Sequence, residues 1–187
     1  MFGASSADAL APEGEFDPSI EPAPGDVLDG HDVLTDEAHV AFHEVTSELF
    51  EERGVYDMTF GYNLADLNRD TRHTSAGYRY AEAADDPDVL RAEFTPTTPF
   101  CPQSDTLTKG SFRAWNGLSE RHDYDLVRVR VSPMHQRSAA INDALAGLEA
   151  ELRETGELPE EAAGGGEPTA PPARDDAEAG GSTDAPF

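Results

Sequence analysis

Only the middle of this chain carries apolar residues at spacings that can bury a core, and that limits what it can fold into. Residues 1–34 hold eight acidic side chains and no basic one, while residues 156–187 are built mainly from Pro, Gly, Ala and acid. Such segments bury too little apolar surface to offset the entropy of ordering. The expected organisation is a disordered acidic arm over 1–34, one domain over 35–155 and a disordered acidic tail over 156–187. The middle lies inside the usual size range for a single core.

Within that middle the periodicities are legible. Thr35 can cap a helix with Asp36 and Glu37 in its first turn, with Ala38, Phe42, Val45 and Leu49 at helical spacing and Gly54 as its stop. Val55 to Leu64 and Ser75 to Ala83 read as strands joined by the polar turn ADLNRDTRH, and Val89 to Thr95 reads as a third after the turn signal at Asp86-Pro87. A second helix is expected after Cys101. Tyr124 to Ser132 then alternates, with Arg128 and Arg130 on one face, and a last helix runs from about Ser138 to Glu154 with Ile141, Leu145, Leu148 and Leu152 in one stripe. The order α-β-β-β-α-β-α predicts a small single α+β domain with helices packed on a mixed sheet. No glycine-rich phosphate loop follows any strand, which argues against a Rossmann or P-loop fold.

Charge excludes whole classes of partner. The 187 residues carry 38 acidic against 13 basic side chains, a net charge of −25, so phosphate backbones and anionic bilayers are repelled. Lys109 is the only lysine, and with the acid surplus this reads as adaptation to concentrated salt, where screening removes most carboxylate repulsion. No apolar run reaches the roughly 20 residues of a membrane span, and the start lacks the pattern of a signal peptide. A cytoplasmic protein with neither nucleic-acid nor membrane partners is expected.

A single cysteine cannot form an internal disulfide or a cysteine-rich zinc site. Cys101 lies in FTPTTPFCP, where a strand gives way to a proline-stiffened loop and Pro102 can occupy the first position of a helix. That placement predicts an N-cap-like thiol whose thiolate is favoured by the amides and dipole of the following turn. Thr95, Thr97, Thr98, Pro102 and Asp105 would form the supporting loop, with Asp105 either opposing the thiolate or holding amides of its own turn. Buried as a small hydrophobe is the competing reading of the same cysteine.

The segments Phe94 to Pro102, Val127 to Pro133, His135 and Asn142 to Leu145 together resemble the MIP18 family, also called the DUF59 domain. Its members end a strand in a Thr/Pro-rich loop that delivers one cysteine to a helix start. They continue through a strand closing on a Ser/Thr-Pro step, a His, and a helix opening with Asn and Leu. The resemblance implies iron–sulfur cluster assembly or delivery in metalloprotein maturation, with Cys101 as the reactive, iron- or cluster-handling residue and no conventional turnover. His135 would be its neighbour if the strand end lies beside the loop. One sulfur cannot hold a cluster, so the cluster or iron would be transient, shared with a client apoprotein, another assembly factor or a second copy in a homodimer. The alternative expectation is a non-catalytic interaction module that keeps the fold without the chemistry. A thiol enzyme ranks last, because no resolving cysteine or paired base is present.

Other candidates are weaker. His39 and His43 stand at the i, i+4 spacing by which two imidazoles can share a metal, but flanking the core face is the favoured reading. Ser111, Ser138 and Asp105 form no triad pattern. Trp115 and Phe112 read as packing residues, with Gly110 permitting close approach of a neighbour. Arg128 and Arg130 read as partners of nearby carboxylates, with an anion patch as the sharper alternative.

Overall fold

A computed structural model describes residues 9–158. It has the expected α+β architecture. A four-stranded mixed sheet runs in the order β1 (Asp32–Val33), β4 (Gly77–Ala83), β5 (Asp86–Thr95), β6 (Leu126–Val131). The first three strands pair antiparallel, and β6 joins β5 in parallel, with Val89 opposite Leu126 and Phe94 opposite Val131. The helices are α1 (Asp36–Arg53), α2 (Ser104–Gly117), which makes the β5-to-β6 crossover, and α3 (Ser138–Thr155).

The sheet's two faces follow from its alternation. Tyr78, Tyr80, Leu90, Ala92, Phe94, Val127, Val129 and Val131 are buried and join the main core. Trp115 on α2 is its hub: Phe42, Phe50, Tyr78 and Tyr80 all lie within 6.1 Å ring to ring, and its indole donates to Thr46 Oγ1 at 3.0 Å. Burial of that size makes truncation to Ala cost about 3–5 kcal/mol.

α1 departs from expectation in the face it buries. Its inward stripe is His39, Phe42, Thr46, Leu49 and Phe50, while Ala38 is exposed and Val45 only partly buried. Thr35 stands at the N-cap without a side-chain capping bond, and Gly54 closes the helix at φ 70°, a left-handed conformation suited to glycine. The rotated stripe carries one imidazole and one hydroxyl into the core.

Two expectations need correction. Val55 to Leu64 is not one strand but a small hairpin, β2 (Tyr56–Asp57) against β3 (Tyr62–Asn63), turned where Asp57 Oδ1 accepts the N–H groups of Thr59 and Phe60. The polar stretch after it is a 3-10 helix over Leu64–Arg69, and it buries Leu64, Leu67 and Asn68.

The arm expected to be disordered is packed from residue 9 to 34. Leu10 bridges to Asp70, β1 pairs with β4, and Leu28 and Leu34 are buried. What fixes it is the other face of the hairpin, where Arg79 and its cross-strand neighbour Glu93 are both almost inaccessible. Glu93 accepts the N–H groups of Gly25 and Val27 at 2.7 and 3.2 Å, and Arg79 donates to the carbonyls of Pro22 and Leu34. A segment poor in apolar residues is thus held by backbone bonds to two charges from elsewhere, which its own composition does not reveal. Residues 1–8 and the expected tail from 159 lie outside the described residues.

β6 is an edge strand, and side chains cap its free backbone. Asn116 of α2 and Asn142 of α3 each hold one β6 residue by both N–H and C=O, at Val127 (2.9 and 3.0 Å) and Val131 (2.7 and 3.0 Å). An amide pair imitates an absent strand and closes an aggregation-prone edge. Arg128 and Arg130, beside it, both bind Glu149 of α3 at 2.9 Å, matching the carboxylate-pairing expectation. No helix among the described residues is long and apolar enough to cross a membrane.

Candidate functional site

The loop from β5 to α2 turns tightly. Thr95 ends β5 opposite Gly77, Thr97 is half-buried and Thr98 is exposed. Thr98 Oγ1 accepts the Phe100 N–H at 3.3 Å, and its carbonyl accepts the Cys101 N–H at 3.4 Å. Cys101 is partly exposed and Pro102 fully at the surface.

The N-cap expectation needs adjusting. α2 begins at Ser104 and its N-cap is Gln103, so Cys101 precedes the cap by two residues. It faces the helix start with its carbonyl, which accepts from the Ser104 N–H at 3.4 Å. The Asp105 carboxylate is paired with Lys109 Nζ at 3.0 Å, one turn on, rather than with amides of its own turn.

His135 lies beside the cysteine loop, buried, with Nε2 at 3.0 Å from the Cys101 carbonyl oxygen. The Arg137 N–H donates to its Nδ1 at 2.9 Å, so Nδ1 is unprotonated and Nε2 carries the hydrogen that the carbonyl accepts. The imidazole is a staple between the β6–α3 turn and the cysteine loop. It addresses the main chain of Cys101, which makes it a positioning residue. A second bond, Gln136 N–H to the Pro99 carbonyl at 2.8 Å, fixes the same junction.

The three large apolar side chains most exposed among the described residues are Met58, Phe100 and Met134, at 81, 67 and 41%. All three sit on segments tied to this loop. Phe100 precedes Cys101, Met134 precedes His135, and the Met58 N–H donates to Gln103 Oε1 at 3.1 Å. The sequence points to the thiol but not to these apolar residues, because Met58 is 43 residues upstream of Cys101 and meets the loop only through the β2–β3 hairpin and its main-chain bond to Gln103.

A second polar cluster lies under α1. His43 has both ring nitrogens engaged, Nε2 with the Ala65 carbonyl at 2.8 Å and Nδ1 with the Tyr80 hydroxyl at 2.7 Å. A carbonyl only accepts, so Nε2 bears the proton and Tyr80 donates to Nδ1. Burial, and after it the neighbouring His39, pushes the His43 pKa down to about 4, so the ring is neutral. His39, stacked on it at 5.5 Å, puts Nε2 2.6 Å from Glu21 of the N-terminal segment. His43 therefore has no free nitrogen for a shared metal. Among the described residues no three His, Cys, Asp or Glu side chains are grouped to hold an ion.

Comparison with known proteins corrects the family expectation. A family model described as a domain of unknown function (DUF7998) matches residues 8–159, and no MIP18 match accompanies it. No curated protein and no solved structure matches the chain. The residues that suggested MIP18 are local turn chemistry: prolines and threonines leaving a strand, a Ser-Pro step, an Asn facing a strand edge. Each has a structural reason here that any β-loop-α and β-turn-α succession can share. The match from residue 8 also includes the N-terminal segment that packs on the sheet. The chain belongs to the DUF7998 family.

Proposed function

We propose that this chain is a docking and carrier protein that presents the Cys101 thiol to a partner protein. One observation carries the reading: the only cysteine and the three most exposed large apolar side chains of the described residues all belong to segments hydrogen-bonded to one loop. Apolar groups left uncovered on so acidic a protein mark a contact surface, and aromatic and methionine side chains are favoured in such surfaces. An arrangement of this kind positions one soft ligand within a protein–protein contact.

The cargo assigned to that thiol is iron or an iron–sulfur cluster in transit, to be delivered to a client apoprotein. Ligand chemistry supports it: thiolate is the preferred ligand of such centres, and a single sulfur leaves the remaining positions to the partner, which suits transfer rather than storage. This cargo rests on that chemistry alone, now that the MIP18 resemblance has fallen. The second reading is an interaction module that uses the same apolar residues without the thiol.

Anaerobic purification from native cells in molar salt tests both, with iron and sulfide analysis and identification of co-purifying proteins. The carrier reading expects Phe100→Glu to release the partner and Cys101→Ser to keep the partner but lose the iron. Partner retained and no Cys101-dependent iron in either protein leaves the interaction module. A partner insensitive to both Phe100→Glu and Met58→Glu sinks both readings.

A further inference from the structure

The sheet face turned away from the main core concentrates arginine in a chain that has little of it. Of 13 basic side chains set against 38 acidic ones, Arg91, Arg128, Arg130 and Arg153 all lie within electrostatic range of one buried carboxylate, Glu149 of α3. Strand pairing sets the arrangement. Arg91 of β5 stands directly opposite Arg128 of β6, and Arg130, two residues on, shares that face. In the rank of Arg130 the signs alternate across three strands, Arg79, Glu93, Arg130. The rank of Arg91 and Arg128 holds no acid, its third member being Ala81. Like charges directly opposite on adjacent strands destabilise a sheet.

Glu149 answers only part of this charge. Its two oxygens take Arg128 Nε and Arg130 Nη2, each at 2.9 Å, with Arg153 Nε at 4.0 Å. Glu93 is turned to the amides of Gly25 and Val27. Arg130 Nη1 donates to the Val129 carbonyl, and Arg91 donates its Nε to the Val27 carbonyl at 3.0 Å. Both Nη atoms of Arg91 and both of Arg128 have no hydrogen-bond partner among the described residues. These guanidiniums are largely withdrawn from water: Arg128 and Arg130 are 23 and 18% exposed and Arg91 is half-buried. Burial, and after it Arg128 and Arg130, holds the Arg91 pKa below its ordinary value, with Glu149 and the exposed Asp85 opposing.

We infer that the face formed by Arg91, Arg128 and Arg130 binds a small doubly charged oxyanion, inorganic phosphate or the phosphoryl group of a small phosphomonoester, through the unused N–H groups of Arg91 and Arg128. A guanidinium fork matches two oxygens of such a group at once. Three guanidinium charges against the single Glu149 carboxylate leave an excess of two, which a dianion cancels. The acidity of the whole chain does not oppose this. In molar salt the screening length is roughly 3 Å, so a small anion responds to the arginines it touches rather than to the net charge of −25.

The test titrates the full chain in molar KCl, at slightly alkaline pH, with inorganic phosphate, with glycerol 3-phosphate and with acetate as a single-charge oxyanion. Calorimetry gives affinity, and NMR of the arginine Nε–Cζ groups reads each guanidinium in the unaltered protein. Expected is millimolar or tighter binding of phosphate or glycerol 3-phosphate, with acetate at least roughly tenfold weaker. Arg91 and Arg128 should shift, while Arg121, paired elsewhere with Glu48 and Glu52, should not. Arg91→Lys and Arg128→Lys keep the charge but lose the fork, and each should weaken binding about fivefold or more. Tighter binding of glycerol 3-phosphate identifies a monoester site, and tighter binding of phosphate an inorganic-anion site. No binding at tens of millimolar probe, acetate binding as well as phosphate, shifts shared equally by Arg121, or affinity unchanged in both lysine variants would each overturn the inference.

Discussion

His135 holds the main chain at Cys101: its Nε2 donates to the Cys101 carbonyl at 3.0 Å, while the Arg137 N–H locks its tautomer from the other side. The staple joins the β5–α2 loop to the β6–α3 turn at the point where the only thiol emerges. Its removal should therefore act on the thiol through the loop.

His135→Ala leaves the Arg137 amide without its acceptor and the Cys101 carbonyl with only the long Ser104 N–H bond, at a cost of about 1–3 kcal/mol. Labelling of Cys101 with a bulky disulfide reagent should accelerate several-fold more than the loss of global stability accounts for. Labelling that rises only in step with denaturant-induced unfolding would show that His135 stabilises the fold without positioning the loop.

His43 predicts a pH dependence on the opposite side of the core. Burial and then His39 lower its pKa from 6.5 to about 4, with the Ala65 carbonyl, Glu21 and Asp66 opposing. Between those values the unfolded chain binds the proton and the folded chain does not, so stability falls as pH drops from 6.5 towards 4. The shift corresponds to about 3 kcal/mol, and the ring's remaining exposure discounts this to about 2. Urea melts of His43→Gln should be flatter than wild type across that window, and equal slopes would refute the assignment.

How far the sequence disclosed all this depends on which interaction did the fixing. The helices, β4, β5 and β6 announce themselves by apolar periodicity, and the α+β class follows from their order. The cysteine loop was legible because prolines and a strand end are local signals. The N-terminal segment was not, because Arg79 and Glu93 hold it by long-range bonds to its backbone, and a segment's composition says nothing about bonds its amides receive. The same blindness hid the buried stripe of α1. His39 and Thr46 look polar until Glu21 and the Trp115 indole arrive from 18 and 69 residues away. Met58 joins the cysteine loop only through the hairpin that a single-strand reading of 55–64 had erased.

Asp70 predicts an acid limb. Its carboxylate is inaccessible to solvent, receives two bonds from the Arg72 guanidinium at 3.0 and 2.8 Å, one from its amide at 2.9 Å and one from the Tyr62 hydroxyl at 2.7 Å. Burial raises its pKa, but the Arg72 and Tyr62 hydrogen bonds outweigh that and leave it at about 2 against 3.8. The stabilisation is complete above pH 3.8 and is lost as pH falls through 2, about 2 kcal/mol in all. Thermal melts from pH 5 to pH 2 should fall less steeply in Asp70→Asn, which starts less stable. Parallel curves would place the acid sensitivity on other carboxylates.

The last prediction concerns Gly77, at the first position of β4. Its φ of 127° lies where side chains are rarely tolerated, and a Cβ there would come 2.2 Å from Asn68 Oδ1. Asn68 cannot retreat cheaply, because its amide holds both the N–H and the carbonyl of Tyr78 at 2.8 and 2.7 Å, fixing the 3-10 helix to the start of the hairpin. Gly77→Ala therefore combines backbone strain with the loss of a buried amide pair, together on the order of 3 kcal/mol. Asn68→Ala keeps the glycine and removes only the pair, so it should cost less, about 1–3 kcal/mol. Denaturant melts of the two single variants and the double variant decide the matter. With Asn68 truncated, adding the alanine should cost only its strain, so the two losses should be less than additive; full additivity would mean that the close approach of Gly77 to Asn68 plays no part.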